Sequence, residues 1–190
     1  MVIKNWKKEI WTIPNLLSLF RLILIPVYIV IYLNASQPSH YWIAAGILAV
    51  SCLTDMVDGK IARHFNMIST VGKILDPVAD KATQMALILC LAIKHPVLWG
   101  LLVLFVIKEG FQLIAGCISL KRGKMLPGAL MAGKVCTTVL FISLILLVLL
   151  PGLDETVVHW ITVVDGVFML ISFVSYILAY YGKSKKVQDL

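Results

Sequence analysis

Four aspartates, Asp55, Asp58, Asp76 and Asp80, lie between positions 55 and 80 of a chain that has only ten acidic residues. They fall beside or inside apolar runs. A carboxylate at the centre of a membrane helix costs about 2.5–3.5 kcal/mol on insertion scales, and four near one another also repel. A multivalent cation is the simplest compensation. Asp55 and Asp58 are three residues apart and Asp76 and Asp80 four apart, so each pair shares one face of a helix. The segment Gly59 to Lys73 between the pairs is short and basic, which makes the two helices antiparallel neighbours and lets their carboxylates converge. All-oxygen ligation suits magnesium or manganese, and two carboxylates from each helix could hold two ions. Gly59 and Gly72 permit close approach of a ligand to the backbone. Ala62 leaves room, and Arg63 offers a guanidinium to phosphate. Metal ions beside a cation and small residues suggest a pyrophosphate substrate. A helix cap or a solvated face would account for any one aspartate taken singly, but hardly for the whole set.

The run D-M-V-D-G-K-I-A-R, then eight residues, then G-K-I-L-D-P-V-A-D, resembles the signature of the CDP-alcohol phosphatidyltransferases, D-x-x-D-G-x-x-A-R-x8-G-x-x-x-D-x-x-x-D. Asp55, Asp58, Gly59, Ala62, Arg63, Gly72, Asp76 and Asp80 match every fixed position. The resemblance implies a six-helix, often homodimeric membrane enzyme with a dinuclear metal site at the cytoplasmic surface. It implies that Asp55, Asp58 and Asp76 ligate metal, that Asp80 shares in this and is also the general base, and that Asp55, Gly59, Ala62, Arg63 and Gly72 bind the CDP-lipid. The reaction would be displacement at the β-phosphorus of CDP-diacylglycerol by an alcohol, with CMP leaving.

The acceptor is less sharply encoded. The opening I-P-N-L-L-S-L-F-R-L-I-L-I-P carries Asn15, Ser18 and Arg21 at three-residue steps, a polar stripe on an apolar helix. It is similar to the opening of phosphatidylglycerophosphate synthases. The alternative for Arg21 is that it snorkels to the interface. Lys108 and Glu109 interrupt an apolar run, and an intramembrane charge is a functional hypothesis by default; a structural ion pair, with each other or with Lys134, is the alternative. Glycerophosphate-using members usually read A-R-E where this chain has Ile107, Lys108 and Glu109, and G-K-x-K-T where it has Gly133, Lys134, Val135, Cys136 and Thr137. Lys108, Lys134 and Arg122 are the expected contacts of an acceptor phosphate, without the bidentate arginine fork. Glycerol 3-phosphate is the favoured acceptor. Phosphatidylglycerol, as used by a CMP-forming cardiolipin synthase, is the alternative; inositol phosphate and serine are further options.

These residues need elements to position them, and composition says which. The 190 residues are 60% hydrophobic and 14% charged, against about a quarter charged in soluble domains. Six apolar spans are expected, at about Ile13–Leu33, Tyr41–Val57, Val71–Ile93, Pro96–Leu120, Gly128–Leu150 and Val157–Tyr181. A helix needs roughly 20 residues to cross the hydrocarbon core, and lipid demands a self-satisfied backbone. The fold class is therefore all-α, a single polytopic membrane domain over 1–190. Residues 1–12, with Trp6, Ile10 and Trp11 among lysines, are expected to form a short amphipathic segment on the membrane surface. Lysines and arginines crowd the termini and alternate loops, while Pro151–Thr156 on the other side is acidic and read as merely solvated. The positive-inside rule then puts both termini and the aspartates in the cytoplasm, in a membrane expected to be bacterial.

The net charge of +7 follows these topology signals rather than forming a nucleic-acid surface. Cys52, Cys90, Cys117 and Cys136 lie in apolar runs and read as small buried hydrophobes. The four histidines lack metal-ligand spacing, and Asp165 in the sixth span has no assigned role. A small-molecule transporter is the rival class. Against it, the charges cluster at one membrane face instead of lining a path across.

Overall fold

The computed structural model describes residues 13–64, 72–121 and 131–188, and every regular element among them is an α-helix. Helix α1 spans Ile13–Leu33, α2 Pro38–His64, α3 Gly72–Lys94, α4 Leu98–Lys121, α5 Met131–Leu149 and α6 Glu155–Gln188. The all-α expectation holds among these residues. The expected amphipathic segment 1–12 lies outside them.

Helix ends follow local chemistry. Pro14 sits in the first turn of α1, where no backbone donor is needed. Asn34 closes α1: its backbone N–H and its side-chain amide donate to the Val30 carbonyl at 3.2 and 2.8 Å. Asp154 caps α6, its Oδ1 accepting the Thr156 N–H at 2.8 Å and its carbonyl accepting from Val157 and Val158. That bond holds the exposed Asp154 carboxyl below the usual aspartate range. Glu155 pairs with His95 Nδ1 at 2.8 Å. The acidic loop expected to be merely solvated therefore fixes the start of α6.

Among the described residues four helical stretches are long and apolar enough to cross a membrane: Asn15–Leu33, Leu98–Gly116, Met131–Leu149 and Glu155–Tyr180. The 21 residues of α1 would extend about 31 Å at ~1.5 Å per residue, close to a hydrocarbon core of about 30 Å. Its faces are inverted relative to a soluble helix. Leu16, Leu19, Phe20, Ile23, Val27 and Val30 are exposed, while Asn15, Ser18 and Arg21 are buried. An apolar outer surface around polar interior residues suits lipid as the solvent.

α3 is not among these four stretches, since Asp76, Asp80 and Lys81 charge its start and Lys94 its end, and the side chains of α2 are described only over 38–54. α2 also differs from expectation in length. It begins at Pro38 and runs without a break to His64, past the expected end near Val57. Asp55, Asp58, Gly59, Ala62 and Arg63 thus share one continuous helix, and Gly59 is mid-helix rather than in the connection. Helical hydrogen bonds are internal to the segment, so leaving the apolar zone does not end a helix. A mid-helix glycine costs only about 1 kcal/mol.

The chain divides into two compact units. One holds α1, α2 and α3 as far as Cys90, with Val148–Pro151. Within it α1 packs along α2. Tyr28 and Tyr32 of α1 are stacked with centroids 5.6 Å apart, and Tyr32 meets Tyr41 of α2 edge-on at 5.7 Å. Ala44 and Ala79 are fully buried, and small residues of this kind let membrane helices approach closely. α3 joins where Thr83 and Ala86 share a crevice with Leu24, Tyr28, Leu48 and Ser51. The other unit holds Leu91–Leu147 and Gly152–Leu190, and so α4, α6 and nearly all of α5. There Phe111 of α4 packs edge-on against Phe173 and Tyr180 of α6. Cys90 and Cys136 are buried and Cys52 is half-buried, as small hydrophobes would be, while the side chain of Cys117 is outside the described part.

Candidate active site

The aspartates are positioned by two helices of the first unit. Asp55 and Asp58 lie one turn apart on α2, and Asp76 and Asp80 one turn apart on α3. The side chains of residues 55–64 and 72–74 lie outside the described part, so Asp76 and Asp80 are the visible half of the quartet. Both are half-buried near the start of α3, on either side of exposed Pro77 and Val78 and buried Ala79. The helix continues through Pro77. A proline has no N–H, so the carbonyl of Lys73 lacks its usual intrahelical donor there.

Asp76 has a partner from a distant part of the chain. Ser18 of α1 donates its hydroxyl hydrogen to Asp76 Oδ1, and Arg21 Nη2 approaches Ser18 Oγ at 3.5 Å. Ser18 is fully buried, and Asn15 and Arg21 are 3% and 2% exposed. The polar stripe of α1 is therefore buried, with Ser18 on Asp76, and Arg21 does not snorkel. The stripe was visible in the sequence as three-residue spacing; its target was not.

The donor types fit a hard divalent cation. The four aspartates come in pairs one helical turn apart along their helices, no soft ligand is among them, and Asp76 is held by an outer hydrogen bond of the kind that orients metal ligands. Among the described residues alone, no three potential ligands gather.

Lys108 and Lys134, two of the expected acceptor residues, belong to the second unit. Lys108 is buried, and its Nζ lies 2.7 Å from Glu109 Oε1, so the two intramembrane charges pair as sequence neighbours. Lys134 is exposed at the start of α5. Its carbonyl accepts from Thr137 and Thr138 at 3.0 and 2.9 Å, so those hydroxyls turn back onto their own helix. Gly133 lies where Tyr176 of α6 comes closest: a Cβ there would stand 2.8 Å from the phenol oxygen. Arg122 lies outside the described residues. Asp165 of α6 is 1% exposed, and neither of its oxygens has a hydrogen bond among the described residues, though Ser143 stands near enough to interact.

Comparison with known proteins gives these features a context. The family model described as CDP-alcohol phosphatidyltransferase matches residues 11–178. The chain is 33% identical over 164 residues to a CMP-forming cardiolipin synthase of Streptomyces coelicolor, a match covering 84% of this chain and 73% of that protein. It is 32% identical over 171 residues to the CDP-diacylglycerol–glycerol-3-phosphate 3-phosphatidyltransferase of Aquifex aeolicus, covering 87% of this chain and 94% of that protein. A Schizosaccharomyces pombe protein that fuses a CMP-forming cardiolipin synthase to a mitochondrial hydrolase is 35% identical over 123 residues, 64% of this chain but only 19% of its own length. The family match runs through the aspartate helices and nearly the whole chain, so the protein belongs to the CDP-alcohol phosphatidyltransferases, membrane enzymes that use CDP-diacylglycerol, an alcohol acceptor and generally a divalent metal.

Proposed function

We propose that this chain transfers the phosphatidyl group of CDP-diacylglycerol to glycerol 3-phosphate, forming phosphatidylglycerophosphate and CMP. The observation that carries the reading is the complete aspartate motif on two neighbouring helices of one unit, with Asp76 tied to the buried stripe of α1. In this reading residues 1–190 form one membrane domain of six spanning helices; the family match, continuous across both compact units, supports it. α2 and α3 would span with their charged ends at the cytoplasmic surface. The termini would be cytoplasmic, the host membrane that of a bacterial cell, and the working form a homodimer.

Asp55, Asp58, Asp76 and Asp80 would hold two magnesium or manganese ions. When bound, the metal supplies charge neutralisation for the pyrophosphate and for the departing CMP. Asp55, Gly59, Ala62, Arg63 and Gly72 line the CDP pocket, where small residues let the nucleotide approach and Arg63 binds phosphate. Asp80 accepts the proton of the acceptor hydroxyl as that oxygen bonds to the β-phosphorus and the anhydride P–O bond to CMP breaks. Lys108, Lys134 and Arg122 hold the acceptor phosphate.

One observation favours a second acceptor. Glu109 neutralises Lys108, which reduces the attraction for a phosphate carrying nearly two charges. A phosphodiester such as phosphatidylglycerol carries one, and the Streptomyces relative is named as a CMP-forming cardiolipin synthase. The test is incubation of purified enzyme and CDP-diacylglycerol with glycerol 3-phosphate, phosphatidylglycerol, inositol phosphate or serine, reading the product by mass. Phosphatidylglycerophosphate is expected. Cardiolipin would move the assignment to the second acceptor, and CMP release with none of them would overturn the reading.

A further inference from the structure

Among the features that the motif does not absorb, the contact between α1 and α3 carries furthest. A carboxylate can only accept hydrogen bonds and a guanidinium can only donate them. A serine hydroxyl does both. With Arg21 Nη2 3.5 Å from Ser18 Oγ, the lone pairs of that oxygen face the guanidinium, and its one hydrogen is left for Asp76 Oδ1, which it meets. The order is therefore set: Arg21 toward Ser18, Ser18 to Asp76. All three side chains belong to one compact unit, and Ser18 and Arg21 are essentially sealed from solvent. A donor held so rigidly against one carboxylate oxygen limits the rotamers of Asp76 and leaves the other oxygen for a different partner.

We propose that Ser18, oriented by Arg21, is a positioning residue that fixes Asp76 Oδ1 and presents the remaining carboxylate oxygen to a divalent cation. This rests on the reading of Asp76 as a metal ligand. In this role Ser18 acts through Asp76, to which it donates. Loss of an outer-shell partner of a metal ligand generally weakens metal binding by about 10–100-fold.

The test is manganese binding, followed by the electron paramagnetic resonance of free Mn²⁺ on purified, metal-stripped enzyme, beside a thermal unfolding midpoint for each variant. Ser18→Ala should weaken binding by about 10–100-fold. Ser18→Thr, which keeps the hydroxyl, should bind close to wild type, and Ser18→Val, of nearly the same shape but without it, should not. The Thr–Val comparison controls for packing and stands even if the alanine variant folds poorly. Asp76→Asn reports the underlying reading and should weaken binding at least as much as Ser18→Ala. If Asp76→Asn weakens binding but Thr and Val at position 18 bind alike, the positioning role is overturned. If Asp76→Asn binds manganese as wild type does, the ligand assignment falls and takes the positioning role with it.

Discussion

Gly133→Ala separates two meanings of the Gly133–Lys134 pair. Beside Lys134, the glycine could serve the acceptor by letting a phosphate approach the backbone. The structure supplies another reason for it. A Cβ at 133 would lie 2.8 Å from the Tyr176 phenol oxygen, 3.0 Å from Cε2 and 3.3 Å from Cζ, where carbon contacts are ordinarily about 3.5–4.0 Å. Because two ring carbons are also too close, rotating the hydroxyl gives no relief; the whole ring must move. Overpacking of this kind costs about 1–3 kcal/mol. Alanine also gains about 0.8–1.0 kcal/mol of helix propensity over glycine, so the net change alone would mislead. Gly110, inside α4, is the control, since a Cβ there meets nothing within 4 Å. Gly110→Ala should be neutral or slightly stabilising. Gly133→Ala should fall below it by about 1–3 kcal/mol in denaturant unfolding of detergent-solubilised protein. Tyr176→Phe removes the closest atom and should recover part of the loss in the double variant. If Gly133→Ala is as stable as Gly110→Ala, the packing argument is wrong. A raised KM for the acceptor with unchanged stability would instead give Gly133 to the phosphate.

Asp154→Ala should lower the unfolding midpoint at neutral pH by removing the cap of α6. Since the Thr156 N–H depresses the folded-state pKa of Asp154, the stabilisation is complete above the ordinary value of 3.8 and is lost as pH falls through the lower folded value; the gap between variant and wild type should therefore narrow in acid melts. Asp165→Asn keeps the shape of a buried carboxyl group whose oxygens have no hydrogen bond among the described residues, and its stability should equal or exceed wild type. A loss of more than ~1 kcal/mol, the scale of one hydrogen bond, would reveal a partner specific to the carboxylate. Chelation with EDTA should stop CMP release, and magnesium or manganese should restore it; release that survives chelation would count against the carboxylate site.

Much of the candidate site was legible because its signal is local. Three- and four-residue spacing puts Asp55 with Asp58 and Asp76 with Asp80 on shared helix faces wherever the segments are helical, and they are. The three-residue stripe of Asn15, Ser18 and Arg21 was equally readable. Less readable was where elements stop. Hydropathy changes near Val57, but α2 continues to His64, because backbone hydrogen bonding does not register the polarity of the medium. The roles of Asp154 and Glu155 were missed because an acidic loop on the side poor in basic residues looks solvated until His95 and the start of α6 are seen beside it.

The sequence by itself determined the all-helical class, the family and its reaction, since these rest on residue types at fixed short separations and on an apolar content that leaves lipid as the solvent. Tertiary structure alone decided which polar groups meet. Ser18 reaches Asp76 across 58 positions, Tyr176 closes on Gly133, and Lys108 takes its own neighbour Glu109 rather than a distant charge. Periodicity tells which face a residue occupies, but not which helix lies against that face. That depends on the packing of all the helices in a unit at once.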